Sequence, residues 1–182
     1  MTRKLALATA IALCSAQPAN SADPALDVFG GFSVQPYSVY AYLGGVAAMN
    51  GNLTVDGFLT RLNIGVGGYS YQTTPGVRQA VSQQAADAML GYQFYLNRAR
   101  ISAYAGLEMQ NHDNADLAAV IRGARLGGKG QIEAYSPIGE KFFSVGLASL
   151  SSNYRSYYTK AKIGYRITDW MSFGPEGMAQ GN

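Results

Sequence analysis

The side chains able to do chemistry in this 182-residue chain are few, and His112 is the only histidine, flanked by Asn111 and Asp113. A metal centre wants more ligands than this neighbourhood offers, so no metal and no cofactor are predicted. A Ser-His-acid hydrolase would need a serine within hydrogen-bond reach of His112. Ser102 and Glu108 share a row upstream, but Ser102 lies roughly 30 Å away along an extended strand, so another serine would have to be recruited. A polar loop residue is the simpler account of His112, and no catalytic residue is assigned. Gly123 to Gly130, read as Gly-Ala-Arg-Leu-Gly-Gly-Lys-Gly, approaches a phosphate-binding loop. It lacks the Ser or Thr after the lysine, and it alternates like a strand where the motif needs a helix to follow. Glycines that ease the curvature of a sheet explain it better.

The largest constellation is ionic. Arg61, Asp87, Arg100, Glu108, Arg125, Lys129, Glu133, Lys160, Lys162 and Arg166 all fall on the polar side of alternating segments. Charges withdrawn from bulk water must be paired or hydrated. Two readings follow: a salt-bridged filling of a narrow barrel, or a hydrophilic lumen that contacts a saccharide or other solute. Tyrosines could stack on sugar rings in such a lumen, although at strand ends they serve more readily as interface residues.

The elements that must carry this row are strands. In 100–110, Ile101, Ala103, Ala105, Leu107 and Met109 share one face, while Arg100, Ser102, Tyr104, Gly106, Glu108 and Gln110 share the other. That period of two belongs to a strand with one wet and one dry side. The stretches 123–135 and 155–167 repeat it, and 57–71 does so more weakly, with Phe58, Leu62, Ile64 and Val66 opposite Arg61, Asn63 and Tyr69. The pattern predicts nine strands: 27–35, 37–49, 53–71, 85–96, 99–110, 122–135, 141–151, 155–167 and 170–180. Short turns are expected at Asn50-Gly51, Asn97-Arg98, Ser136-Pro137-Ile138-Gly139 and Thr168-Asp169. Longer links are expected at 72–84 and 111–121, an alternation typical of outer-membrane barrels. The short link at 152–154 departs from it.

Alternation alone leaves open which face points inward, because a soluble lipocalin-like barrel would bury the apolar one. Three features favour a membrane. Charged residues make up only 14% of the chain, against about 25% in a soluble domain. The apolar face consists largely of small and medium residues. Aromatics gather near strand ends: Tyr92, Phe94, Tyr95, Tyr135, Phe142, Phe143, Tyr165, Trp170 and Phe173 at one, and Tyr69, Tyr71, Tyr154, Tyr157 and Tyr158 at the other. Two such belts are what the membrane interfaces select. With lipid as the outer partner, Ile101, Ala103, Leu107, Leu126, Ile132, Ala161 and Ile163 should face outward and the charged row inward.

The N-terminus adds an address. Arg3 and Lys4, the apolar run Leu5–Cys14 and the small residues around Ala19–Ala22 read as a signal peptide over 1–22, leaving 23–182 as one β-barrel domain. The apolar run is too short to span a bilayer as a helix, and no later stretch has 18 consecutive apolar residues. Leu13 before Cys14 argues against a lipoprotein anchor. Cleavage would remove two of the 14 basic residues and none of the 11 acidic ones, leaving a net charge of +1 and no cysteine. Neither a nucleic acid nor another polyanion is implied as partner.

The ordered segments Tyr40-Ala-Tyr-Leu-Gly-Gly-Val-Ala-Ala-Met-Asn-Gly-Asn, Asp56-Gly-Phe-Leu-Thr-Arg, Ala86-Asp-Ala-Met-Leu-Gly-Tyr-Gln, His112-Asp113, Arg122-Gly123, Gly164-Tyr-Arg and Gly174-Pro-Glu-Gly resemble the BcsS family of cellulose biosynthesis proteins. The resemblance implies an outer-membrane barrel with no assigned catalytic residue. It further implies an accessory role in making, exporting or anchoring cellulose, with cellulose or cellulose synthase components as partners. An outer-membrane lipid- or glycan-modifying enzyme is the alternative, and a soluble periplasmic ligand-binding barrel the third reading. Family members continue beyond the Gly-Pro-Glu-Gly segment, and barrels close with an even strand number. A C-terminal truncation is therefore expected, with nine strands visible of ten and a gap between 27–35 and 170–180. The alternative is an eight-stranded barrel closing between 37–49 and 170–180.

Overall fold

A computed structural model describes residues 24–74, 77–168 and 172–181. The signal peptide expected over 1–22, Trp170 and Asp169 of the expected Thr168-Asp169 turn lie outside the described residues. The fold is all-β, antiparallel and up-and-down. The strands are β1 (Leu26–Gln35), β2 (Ser38–Ala48), β3 (Gly57–Thr74), β4 (Val77–Leu96), β5 (Ala99–Asn114), β6 (Gly123–Ile138), β7 (Phe142–Ser151), β8 (Tyr157–Arg166), β9 (Ser172–Phe173) and β10 (Glu176–Gly181). Each of β1 to β8 pairs with its neighbour in sequence, and β9 and β10 both pair along β8, so together they act as the ninth strand. Among the described residues no ladder joins β1 to β10. The sheet curls into an open barrel wall, with Gln35 Nε2 3.7 Å from Met178 Sδ across the seam. The alternative eight-strand closure does not form, because β1 is paired to β2 along all of Leu26–Gln35.

The period of two decides which way side chains point. In β5 the even positions Ser102, Tyr104 and Glu108 are buried on the concave side, whereas Leu107 and Met109 are exposed on the convex one. Leu43, Leu62, Ile64, Val66, Leu90, Leu126, Ile132, Leu150 and Ile163 are likewise exposed on the convex face. A soluble barrel would have these two sets exchanged.

Several connections differ from the sequence expectation, among them the turn expected at Ser136-Pro137-Ile138-Gly139, which falls later because β6 stays paired with β7 as far as Ile138↔Phe142. The predicted loop 72–84 is mostly strand: β3 and β4 form one long hairpin whose ladder runs from Gly57↔Gln93 to Thr74↔Val77. Its polar tip read as a loop because it stands above the neighbouring strands. The β2 ladder ends at Ser38↔Tyr69 and that of β5 at Val81↔Asn114, so the tip has no dry side to advertise. The Asn50-Gly51 turn exists, with Gly51 at φ +79°, a left-handed conformation that suits glycine. The chain then folds inward before β3 begins at Gly57 and not at 53. Leu53 is the reason. It is 5% exposed and packs with Val46, Ala48, Leu59, Met89 and Tyr104, against Phe29, to make an apolar floor at that end of the sheet. Gln93, itself 1% exposed, donates to the carbonyls of Leu53 at 2.9 Å and Val55 at 2.7 Å. The Tyr95 hydroxyl adds a third bond, to the Leu53 carbonyl, at 2.7 Å.

Candidate functional site

Above this floor the concave face encloses a cavity of about 1220 Å³ lined by every strand from β1 to β10. Its lower half is ionic. Asn63, Asp87 and Glu108 stand directly opposite one another on β3, β4 and β5. Like charges opposed across a ladder repel, and Lys129 resolves the conflict from β6. Its ammonium lies 2.7 Å from Asp87 Oδ2 and 2.8 Å from Glu108 Oε1. Neutral donors complete the layer: Asn63 to Asp87 at 3.3 Å, Gln110 to Glu108 at 2.7 Å, and the Asn153 side chain to the Glu108 carbonyl at 2.8 Å.

A second pair lies beside the first. Arg61 Nη1 is 2.9 Å from Glu133 Oε1, and Gln131 donates to the same carboxylate oxygen at 2.8 Å. The Arg61 guanidinium also lies 4.3 Å from the Phe29 ring centroid and 5.5 Å from that of Tyr104, so ionic layer and apolar floor are joined through its plane. Lys160 pairs more loosely with Glu176 at 3.5 Å. Asp27 Oδ1, Arg61 Nε, Asn63 Oδ1 and Asp87 Oδ1 are buried without a hydrogen-bond partner.

Of the ten charged residues singled out in the sequence, Arg61, Arg100, Glu108, Lys129, Glu133, Lys160 and Lys162 line the cavity, and Asp87 lies behind Lys129. Arg125 and Arg166 do not line it. Both sit near strand ends and are exposed, Arg125 with its guanidinium 4.4 Å from the Tyr154 ring centroid. Arg166 donates to the Tyr135 hydroxyl and lies 5.6 Å from the Phe143 ring centroid. Their parity is right, but each lies at the rim. His112 points inward, its Nδ1 3.4 Å from the Tyr69 hydroxyl and its ring edge-on to Tyr154 at 5.3 Å. Among the described residues no hydrogen bond joins it to a serine or a carboxylate.

The aromatic belts require a correction. At the floor end an outward belt is present in part, in the contacts Phe58–Tyr92 at 5.1 Å, Phe142–Tyr165 at 5.0 Å and Tyr165–Phe173 at 5.9 Å, whereas Tyr135 and Phe143 line the cavity and the Tyr95 hydroxyl is bonded to Leu53. At the opposite end Tyr69 and Tyr71 are turned inward: Tyr69 meets His112, and the Tyr71 hydroxyl donates to Asp116 Oδ2 at 3.1 Å. Odd positions of β3 face the concavity, so a second outward belt could not form from them. Tyr40, Tyr42, Tyr154 and Tyr158 join Tyr69 around the upper cavity with Gln35, Gln83 and Gln110.

Sequence reasoning missed Tyr40, Tyr42, Asp27 and Glu176 as cavity residues. The alternation Tyr40-Ala-Tyr42 would have placed both tyrosines on one face, had β2 been read with the same parity test as β5.

Residues 28–182 match the family described as cellulose biosynthesis protein BcsS. Comparisons with curated proteins and with solved structures give no match.

Proposed function

Because the chain belongs to the cellulose biosynthesis protein BcsS family, we propose that it is an outer-membrane β-barrel that serves cellulose production as a non-enzymatic accessory. The observation that carries this reading is the inside-out distribution of polarity. Leu126 is 71% exposed and Leu107 58%, both on the convex face, while Asp87, Glu108 and Arg61 are buried on the concave one. In water such an exterior would be an aggregation surface. In hydrocarbon it is the required solvent contact, since Lys or Arg facing lipid at the midplane costs about 2–4 kcal/mol.

Strand length supports the same reading. β1, β2, β7 and β8 have 10 or 11 residues, which matches the roughly 9–11 residues that cross a bilayer when tilted. The longer β3 to β6 carry their excess at the end away from the floor. The outward aromatics at the floor end sit where an interface would anchor them.

The ionic side chains favour a binding or scaffolding role over turnover. Lys129 engages Asp87 and Glu108 together, so both carboxylates are committed to one ion-paired layer, and among the described residues the ring contacts of His112 are with Tyr69 and Tyr154. The partners that follow are membrane lipid outside and cellulose or its synthase components inside or at the mouth. The test has two arms. The protein should fractionate with outer membranes and resist carbonate and high-salt extraction. A clean deletion should lower surface cellulose while synthase activity in isolated membranes stays at wild-type level. Recovery in the soluble periplasm would overturn the location, and unchanged surface cellulose the accessory role.

A further inference from the structure

We propose that the upper cavity binds an extended, uncharged β-1,4-glucan segment, stacked on Tyr40 and Tyr42. The choice of this glucan rests on the cellulose reading above; the site itself rests on how these two rings are held. Tyr42 stands opposite Gly31 on β1 and Gly65 on β3, and Tyr40 opposite Gly67. A Cβ on Gly67 would meet Tyr40 Cδ2 at 2.8 Å, and one on Gly65 would overlap the Tyr40 hydroxyl, so the ring lies along β3 from one glycine to the next. A Cβ on Gly31 would meet the Tyr42 hydroxyl at 2.8 Å and its Cζ at 2.9 Å. Any larger residue at these positions would prise the rings off the wall. The glycines therefore leave room for both rings beside the sheet, where both tyrosines line the cavity.

Flat aromatic platforms suit the apolar faces of pyranose rings, and neutral amides suit the hydroxyls at their edges. Gln83 supplies such an amide on the cavity lining, and Gln35 and Gln110, whose Nε2 atoms lie against Met178 and Glu108, add their amide oxygens. The charge balance selects against an acidic polymer. The lining acids Asp27, Glu108, Glu133 and Glu176, with Asp87 behind Lys129, equal in number the lining bases Arg61, Arg100, Lys129, Lys160 and Lys162. Much of that charge is already paired in the lower half, so no net field draws in a polyanion.

The experiment uses the full mature chain in a zwitterionic detergent without a sugar headgroup, titrated with cellohexaose, maltohexaose and an oligogalacturonate by calorimetry. Saturable binding of cellohexaose is expected, with maltohexaose and oligogalacturonate weaker by about tenfold or more. Tyr40→Ala should weaken cellohexaose by a similar factor, and so should Gly65→Val, which retains both tyrosines and only displaces the ring. Phe142→Ala, on the outer face, should leave binding unchanged. Equal binding of all three sugars, or cellohexaose binding that survives Tyr40→Ala and Gly65→Val in variants with wild-type circular dichroism, would overturn the site. Absence of cellohexaose binding by the wild-type protein would do the same. If that absence accompanies a cellulose defect in the deletion strain, the accessory role stands and the site alone falls. Binding without a cellulose defect upholds the site and removes the accessory role.

Discussion

Replacing Lys129 by Met should destabilise the barrel by about 3 kcal/mol, and two independent routes lead to that figure. Asp87 and Glu108 occupy opposed positions on β4 and β5, and their side chains are 2% and 6% exposed. Their oxygens lie 2.7 and 2.8 Å from one ammonium nitrogen, so they cannot be further apart than those two distances laid end to end. At a separation of about 5 Å and an effective dielectric near 20, two negative charges repel by roughly 3 kcal/mol. Measured losses on removing one partner of a buried ion pair are about 3–5 kcal/mol. The assay is reversible urea unfolding of the protein in phospholipid vesicles, followed by tyrosine and tryptophan fluorescence. Adding Asp87→Asn to the Lys129→Met background should restore stability to within about 1 kcal/mol of wild type, because one carboxylate with amide neighbours no longer faces a like charge. A loss below about 1 kcal/mol in Lys129→Met, or no rescue by Asp87→Asn, would refute the argument that Lys129 exists to reconcile the two acids.

Leu107→Arg, on the convex face, should cost about 2–4 kcal/mol in vesicles and much less in detergent; equal costs in both media would count against a lipid-facing position. Leu53→Ala should cost about 2–5 kcal/mol by the cavity it leaves in the floor, and should raise solute leakage through proteoliposomes. Unchanged leakage would mean that the floor is not the barrier. His112→Ala should leave surface cellulose at wild-type level, and complete loss in a well-expressed variant would revive a catalytic reading.

The architecture was legible because each face of β5, β6 and β8 carries its own residue class. Leu107 beside Glu108, within an alternation kept along the strand, marks a sheet with one apolar and one polar side. Parity then indicated the row from Arg61 to Lys162 without any knowledge of partners. The β3–β4 hairpin was not legible, since Arg78, Gln79, Ser82 and Gln83 stand where the polarity contrast fades. Leu53 was hidden for the opposite reason: one apolar residue among Asn50, Asn52 and Thr54 carries no period, and its role depends on a floor assembled from four strands. The inward tyrosines were misread because strand-end position was weighed above parity.

The up-and-down order of the sheet also bears on how the chain reaches this state. Every ladder from β1 to β8 joins strands adjacent in sequence, so each pairing closes only a short loop, and the entropic cost of closure grows slowly with such lengths. Assembly can advance hairpin by hairpin, with each new strand templated by the last. The contact that cannot form this way is the approach of Gln35 to Met178, separated by 143 residues. Bringing those two edges together belongs at the end of folding, when the whole wall has already curled, and a topology with so few distant pairings should fold faster than a β-sandwich of equal size.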